Sequence, residues 1–117
     1  MADPIVSIEP QETVLVATVQ AQQLNEELTR QLQTELAAAA ENLPELPLIL
    51  DMANVEYMPS LSLGALVELQ RDHKKSGRRL ILTSLQTEIR STLSVTRLDK
   101  LFEICDSVEE ARAQVQG

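Results

Sequence analysis

The groups in this chain whose types could carry chemistry are few: Ser60 and Ser62, the only histidine, the only cysteine, and two carboxylate pairs, Glu26–Glu27 and Glu109–Glu110. A nucleophilic serine or cysteine needs a base beside it. His73 falls one or more turns beyond Ser60 on the same expected helix, so a Ser–His pair is not expected. His73 also has no cysteine or carboxylate cluster at ligand spacing, which argues against a metal site. Cys105 stands among Ile104, Asp106 and Ser107 with no cation near it in sequence, and reads as a structural, partly buried thiol. The two carboxylate pairs open expected helices, where the helix dipole accounts for them. The three glycines, Gly64, Gly77 and Gly117, are isolated, so no phosphate-cradling loop is present. These residues describe no active site, and the chain is expected not to be an enzyme and to need no cofactor or metal.

What remains is the stretch LILDMANVEYMPSLSLGAL, from Leu48 to Leu66. It reads as a buried strand, a turn around Val55, Tyr57 and Met58, and the start of a helix after Pro59. Leu63, Leu66 and Val67 mark one helical face. Ser60 or Ser62 falls at the N-cap, with the positive end of the helix dipole behind it. A phosphate added there would bring about −1.5 to −2 charges. Backbone N–H groups could stabilise it without disturbing the fold, while a partner docked on that surface would be repelled. The simpler reading is that Ser60 is a cap and nothing more.

The elements around this stretch follow from pattern. Ile5, Val6 and Ile8, then TVLVATV from Thr13 to Val19, read as two antiparallel strands joined through Gln11–Thr13. Asn25 is a plausible N-cap for a helix marked by Leu24, Leu28, Leu32 and Leu36, which recur every four residues, and ending near Asn42, before Pro44 and Pro47. The leucine stripe suits one helix face on a sheet better than a coiled coil. The second helix runs to about Ser76 and stops at Gly77, a left-handed C-cap. Arg71, Lys74, Lys75, Arg78 and Arg79 cluster at its end, five of the ten Lys and Arg within nine positions. They could bind phosphate or an acidic partner; cations at a helix C-terminus are the plainer explanation.

Leu80 to Thr83 is another buried strand. Ser84 is expected to cap a helix through Ile89 and Leu93. A short strand is expected near 102–104, and Ser107 with Glu110 matches a capping box for a helix from Val108 to about Val115. Strands alternating with helices imply a mixed, mostly parallel sheet of about four or five strands with about four helices packed on it.

The totals fit one α/β domain over residues 1–117, with a radius of gyration of roughly 13 Å. A formal net charge of −8 argues against nucleic-acid binding and against anionic membranes. Only 2% of residues are aromatic, so the core is aliphatic and base-stacking platforms are not expected. The N-terminal residues lack a signal-peptide pattern, and no apolar run approaches about 18 residues. The expected location is the cytoplasm, without membrane insertion.

Four pieces, in order, resemble the STAS domain of bacterial anti-sigma factor antagonists. LILDMANVEYM is similar to the family's central strand and turn. SLSLGAL stands where the family has Asp-Ser-Ser/Thr-Gly-Leu. KKSGRRLILTSL resembles the helix end, glycine and next strand. LSVTRLDKLFEI resembles the Thr-Gly-Leu piece and the following Phe block. The likeness spans roughly residues 5 to 115. It implies that Ser60 is phosphorylated by a serine kinase that is also the anti-sigma factor, with Ser62 as an alternative acceptor. It implies that Pro59, Ser60, Leu61, Ser62 and Leu63 form the partner surface, and that a PP2C-type phosphatase restores the binding form. A homodimer stays open. The chain departs from the pattern at Pro59 in place of Asp, Leu61 in place of a hydroxyl residue, Ser62 in place of Gly, and Arg97 in place of Gly. An alternative role is a non-catalytic scaffold in a stress-sensing or lipid-transport assembly, favoured by the apolar Pro59 and Leu61.

Overall fold

The computed structural model describes residues 3–11, 13–43 and 46–116, so Glu12 of the expected hairpin turn and Pro44 lie outside the described residues. Strands β1 (Val6–Pro10), β2 (Leu15–Val19), β3 (Leu48–Asp51), β4 (Leu80–Thr83) and β5 (Glu103–Cys105) form one sheet in sequential order. β1 is antiparallel to β2, with Ile8 opposite Ala17; every later pair is parallel, with Leu50 beside Leu82 and Leu82 beside Ile104. Helices α1 (Glu26–Asn42), α2 (Ser60–Lys75) and α3 (Thr87–Val95) make the crossovers, and α4 (Val108–Gln116) closes the chain. Strands added one after another in one direction, with crossovers of one hand, put all three connecting helices on the same face.

The burial pattern matches that arrangement. Leu48, Leu50, Leu80 and Leu82 point to the face covered by Leu32 and Leu36 of α1, Leu66 and Leu69 of α2, and Leu93 of α3. Ile49 and Ile81 alternate to the other face and pack with Val14, Val16, Cys105 and Ala111 of α4. β3 and β4 are therefore covered on both sides, which is why LIL and LILT are unbroken apolar runs rather than alternating ones. The radius of gyration is 13.1 Å.

Helix ends show where residue type decided the structure and where it did not. Asn25 caps α1, its Oδ1 accepting from the Leu28 N–H at 2.8 Å. Ser107 Oγ accepts from the Glu110 N–H at 3.1 Å at the start of α4. At the end of α2, the Gly77 N–H donates to the Lys74 carbonyl and the Arg78 N–H to the His73 carbonyl, with Gly77 at φ +77°. That paired closure is a Schellman motif, and it needs the left-handed residue that glycine supplies without strain.

Two expectations are corrected. Neither Ser60 nor Ser62 is the N-cap of α2: Pro59 holds that position in extended geometry, φ −67° and ψ 162°, and no side chain caps the helix. Proline needs no partner for an N–H it lacks, so its fixed φ ends the loop and Ser60 becomes the first helical residue. Ser84 does not cap α3: Gln86 does, and Ser84 sits at φ 59° in the turn after β4. The segment before β5 forms a short 3-10 helix at Leu98–Leu101, and Arg97 enters it at φ 63°.

Candidate functional site

The C-terminal edge of β3 carries the loop that delivers Ser60. This loop is tied down on both sides. Asp51 Oδ1 accepts from the Ala53 N–H at 3.0 Å, and Asn54 Nδ2 donates to the Val19 carbonyl at 3.0 Å. The Glu56 N–H donates to the Gln22 carbonyl at 2.7 Å, the Leu24 N–H to the Tyr57 carbonyl at 3.0 Å, and Gln86 Nε2 to the Ala53 carbonyl at 2.8 Å. Met52, Val55 and Met58 anchor it from below, each less than a tenth exposed. The result is a braced platform whose outer residues, Tyr57 and Leu61, stand 56% and 73% exposed.

Ser60 is exposed and Ser62 is 0% exposed. Two residues turn a helix by about 200°, so adjacent-looking hydroxyls end up on opposite sides. Ser62 falls in phase with Leu66, Leu69 and His73, the buried stripe of α2. Its Oγ has no hydrogen-bond partner among the described residues. A folded chain therefore offers a modifying enzyme the Ser60 hydroxyl but not that of Ser62. Pro59 is half-buried and Leu63 is buried, so of the five residues expected on a partner surface only Ser60 and Leu61 are exposed.

The N–H groups of the first helical turn lack intrahelical acceptors, and they sit beside Ser60. The Ser62 and Leu63 N–H groups both turn back to the Pro59 carbonyl, at 2.9 and 3.3 Å. Those of Ser60 and Leu61 remain at the positive end of the dipole. A negative group on Ser60 gains roughly 0.3–1 kcal/mol from such a helix end.

His73 lies thirteen residues along α2 from Ser60, about 20 Å of helix, which separates any base from that hydroxyl. Its Nδ1 is 2.9 Å from the Leu69 carbonyl and its Nε2 has no partner among the described residues. Burial, the largest influence, holds its pKa below the usual histidine value, reinforced by Arg78 and opposed by the Leu69 bond and Asp72. A neutral ring donating from Nδ1 fits this environment. Burial raises the Cys105 thiol, aided by Glu110 and Glu103, so the reactive thiolate is disfavoured. Among the described residues no group of three or more His, Cys, Asp or Glu is arranged to hold a metal ion. No helix among them is long and apolar enough to cross a membrane.

The sequence profile of the STAS domain matches residues 4–111. The chain belongs to the STAS domain family. A Thermotoga neapolitana protein, named as a candidate anti-sigma factor antagonist, is 33% identical over 70 residues, 60% of this chain and 62% of that protein. The chain thus matches about three fifths of that relative's length. A crystal structure from Thermotoga maritima, named likewise, superposes with a TM-score of 0.80 at 24% identity, covering 96% of this chain and 95% of the other. A STAS domain protein from Planctomyces limnophilus gives 0.82 at 20% identity, covering 96% and 98%. The domain class, the single five-stranded mixed sheet and the four helices all agree with this family.

Reading the sequence alone missed Tyr57 as an outward residue and missed the burial of Ser62. The second had a signal: Ser62, Leu66, Leu69 and His73 are spaced by four, three and four residues, the period of a single helix face. Arg97 shows the reverse. The backbone there takes the left-handed conformation that glycine favours, and the residue type does not announce it.

Proposed function

We propose that this STAS domain is a non-catalytic binding module, an anti-sigma factor antagonist of the cytoplasm whose partner is an anti-sigma factor with serine kinase activity. The observation that carries this reading is the braced mouth of α2, where an exposed Ser60 hydroxyl lies beside an aliphatic side chain, Leu61, that is 73% exposed. The unmodified surface docks the partner through Leu61 and Tyr57. Phosphate on Ser60 puts a doubly charged group beside that apolar contact, where desolvating it opposes association. The open N–H groups and the dipole keep the same charge tolerable in the free domain. A PP2C-type phosphatase would reverse the step. The name of the Thermotoga neapolitana relative supports the antagonist role.

Incubation with serine kinases from the same genome and ATP, followed by phosphosite mapping, tests the modification. Phosphate on Ser60 and none on Ser62 is the expected result, and no phosphate on either serine with any kinase would count against it. A second reading, a constitutive scaffold in a larger assembly, is favoured by Pro59 and Leu61, which make the mouth more apolar than the family's pattern. A stable assembly that survives Ser60→Asp would select it.

A further inference from the structure

A second surface lies towards the opposite end of α2. Val67, Gln70, Arg71 and Lys74 are spaced by three, one and three residues, so they share one face of the helix, and they face Leu101 across a groove. The groove continues into a wider cavity of about 420 Å³ between the Gly77–Leu80 segment and the Lys100–Glu103 segment. Its walls carry five of the ten Lys and Arg, namely Arg71, Lys74, Arg78, Arg79 and Lys100, and among the described residues only one carboxylate, Glu103. The other five cations share the rest of the chain with seventeen carboxylates.

Some of this charge is already committed. Arg79 grips Glu103 through two parallel bonds, Nε to Oε1 at 2.7 Å and Nη2 to Oε2 at 2.6 Å. Arg78 is buried and donates to the Leu43 carbonyl. Arg71, Lys74 and Lys100 make no ion pair among the described residues. The acidic residues of this half of α2, Glu68 and Asp72, lie off the stripe that faces the groove. Leu101 is 50% exposed between these three cations, and Gln70, which lines both parts, has a buried Oε1 with no partner among the described residues.

We propose that this groove docks an acidic polypeptide segment carrying an aliphatic anchor, supplied by a partner protein. Carboxylates of the segment pair with Arg71, Lys74 and Lys100, and its anchor covers Leu101. Charge complementarity selects the occupant. The positive stripe from 67 to 74 spans only about 10 Å of helix, enough for a few residues of chain. A nucleic acid or an anionic bilayer would extend beyond it onto a surface with a large negative surplus, which repels a polyanion. The groove lies about 10–20 Å along α2 from Ser60, so this docking does not rest on the phosphoswitch and is unaffected by Ser60→Asp.

The test is nitrogen-15 correlation NMR on the whole protein, titrated with the acetylated peptide Glu-Glu-Leu-Glu-Glu-Leu-Glu-Glu and with its counterpart in which every Glu is Gln. The acidic peptide should shift amides at 67–74 and 98–103, and the neutral one should not. Affinity should fall with added salt and drop at least tenfold in Lys74→Glu/Lys100→Glu, whose dispersed spectrum reports an intact fold. Leu101→Ser should weaken binding without altering its salt dependence. The proposal is overturned by no shifts at millimolar peptide, by equal shifts with the Gln peptide, or by shifts centred on Ser60. It is also overturned if a DNA duplex or phosphatidylglycerol vesicles occupy the groove and the acidic peptide does not. None of these outcomes bears on Ser60 phosphorylation.

Discussion

Replacing Ser62 by alanine should make this protein more stable, although the residue lies two positions from the proposed switch. Its hydroxyl is 0% exposed and its Oγ has no hydrogen-bond partner among the described residues. A buried polar group left unpaired costs about 1–3 kcal/mol relative to its hydrated state. Alanine removes that cost and is also the better helix former, by up to about 0.7 kcal/mol. Against this stands the small void where one oxygen had been, whose lining atoms forfeit some dispersion attraction. The balance is a gain of about 1–2 kcal/mol. For a chain of 117 residues the unfolding entropy near 60 °C is roughly 0.25 kcal/mol/K, so the melting temperature should rise by about 4–8 °C. Circular dichroism melts and urea titrations at pH 7.5 measure it, with Ser60→Ala, an exposed change, as the control expected within about 0.5 kcal/mol of wild type. A loss of more than about 0.5 kcal/mol in Ser62→Ala would mean that the hydroxyl makes a bond, and would refute its description as an unpaired group.

Three further outcomes are expected. Arg97→Gly should stabilise the fold by up to about 1 kcal/mol in urea titration, because φ 63° strains an L side chain while glycine's extra unfolded freedom offsets only part of that strain. The folded pKa of His73 lies below its unfolded value of about 6.5, so the unfolded chain binds the proton first. Its contribution is therefore full above about pH 6.5 and is lost as pH falls from there towards the folded pKa; His73→Gln should flatten that part of a stability–pH curve. Leu61→Ala should weaken partner binding by about 1–2 kcal/mol, roughly 5- to 30-fold by titration calorimetry, while leaving the melting temperature within about 2 °C, since the side chain is 73% exposed in the free domain.

The fold was legible where one physical demand dominated. The apolar runs Leu48–Leu50 and Leu80–Leu82 reported burial on both sheet faces, and the Leu28, Leu32, Leu36 spacing reported a helix face against the sheet. Asn25 and Gly77 marked helix ends because a side-chain acceptor and a left-handed residue have few substitutes there. Legibility failed where several residue types satisfy the same demand. Pro59 took the N-cap that Ser60 was expected to fill, because a fixed φ ends a loop as well as a hydroxyl does. Ser84 and Arg97 adopt positive φ, which their residue types do not favour and so do not announce. The groove beside α2 needed the 3-10 helix to bring Leu101 and Lys100 across from Arg71 and Lys74, and nothing in LDKL specified that crossing. At the candidate site, periodicity places Ser62 inside, but residue type alone made it look equivalent to Ser60.

The most direct measurement is calorimetric titration of a cognate anti-sigma serine kinase into the unmodified domain and into the same domain phosphorylated at Ser60. The unmodified form should bind, and the phosphorylated form should bind at least tenfold more weakly, a difference of about 1.4 kcal/mol or more, with its melting temperature nearly unchanged. Equal affinity for the two forms would contradict the switch.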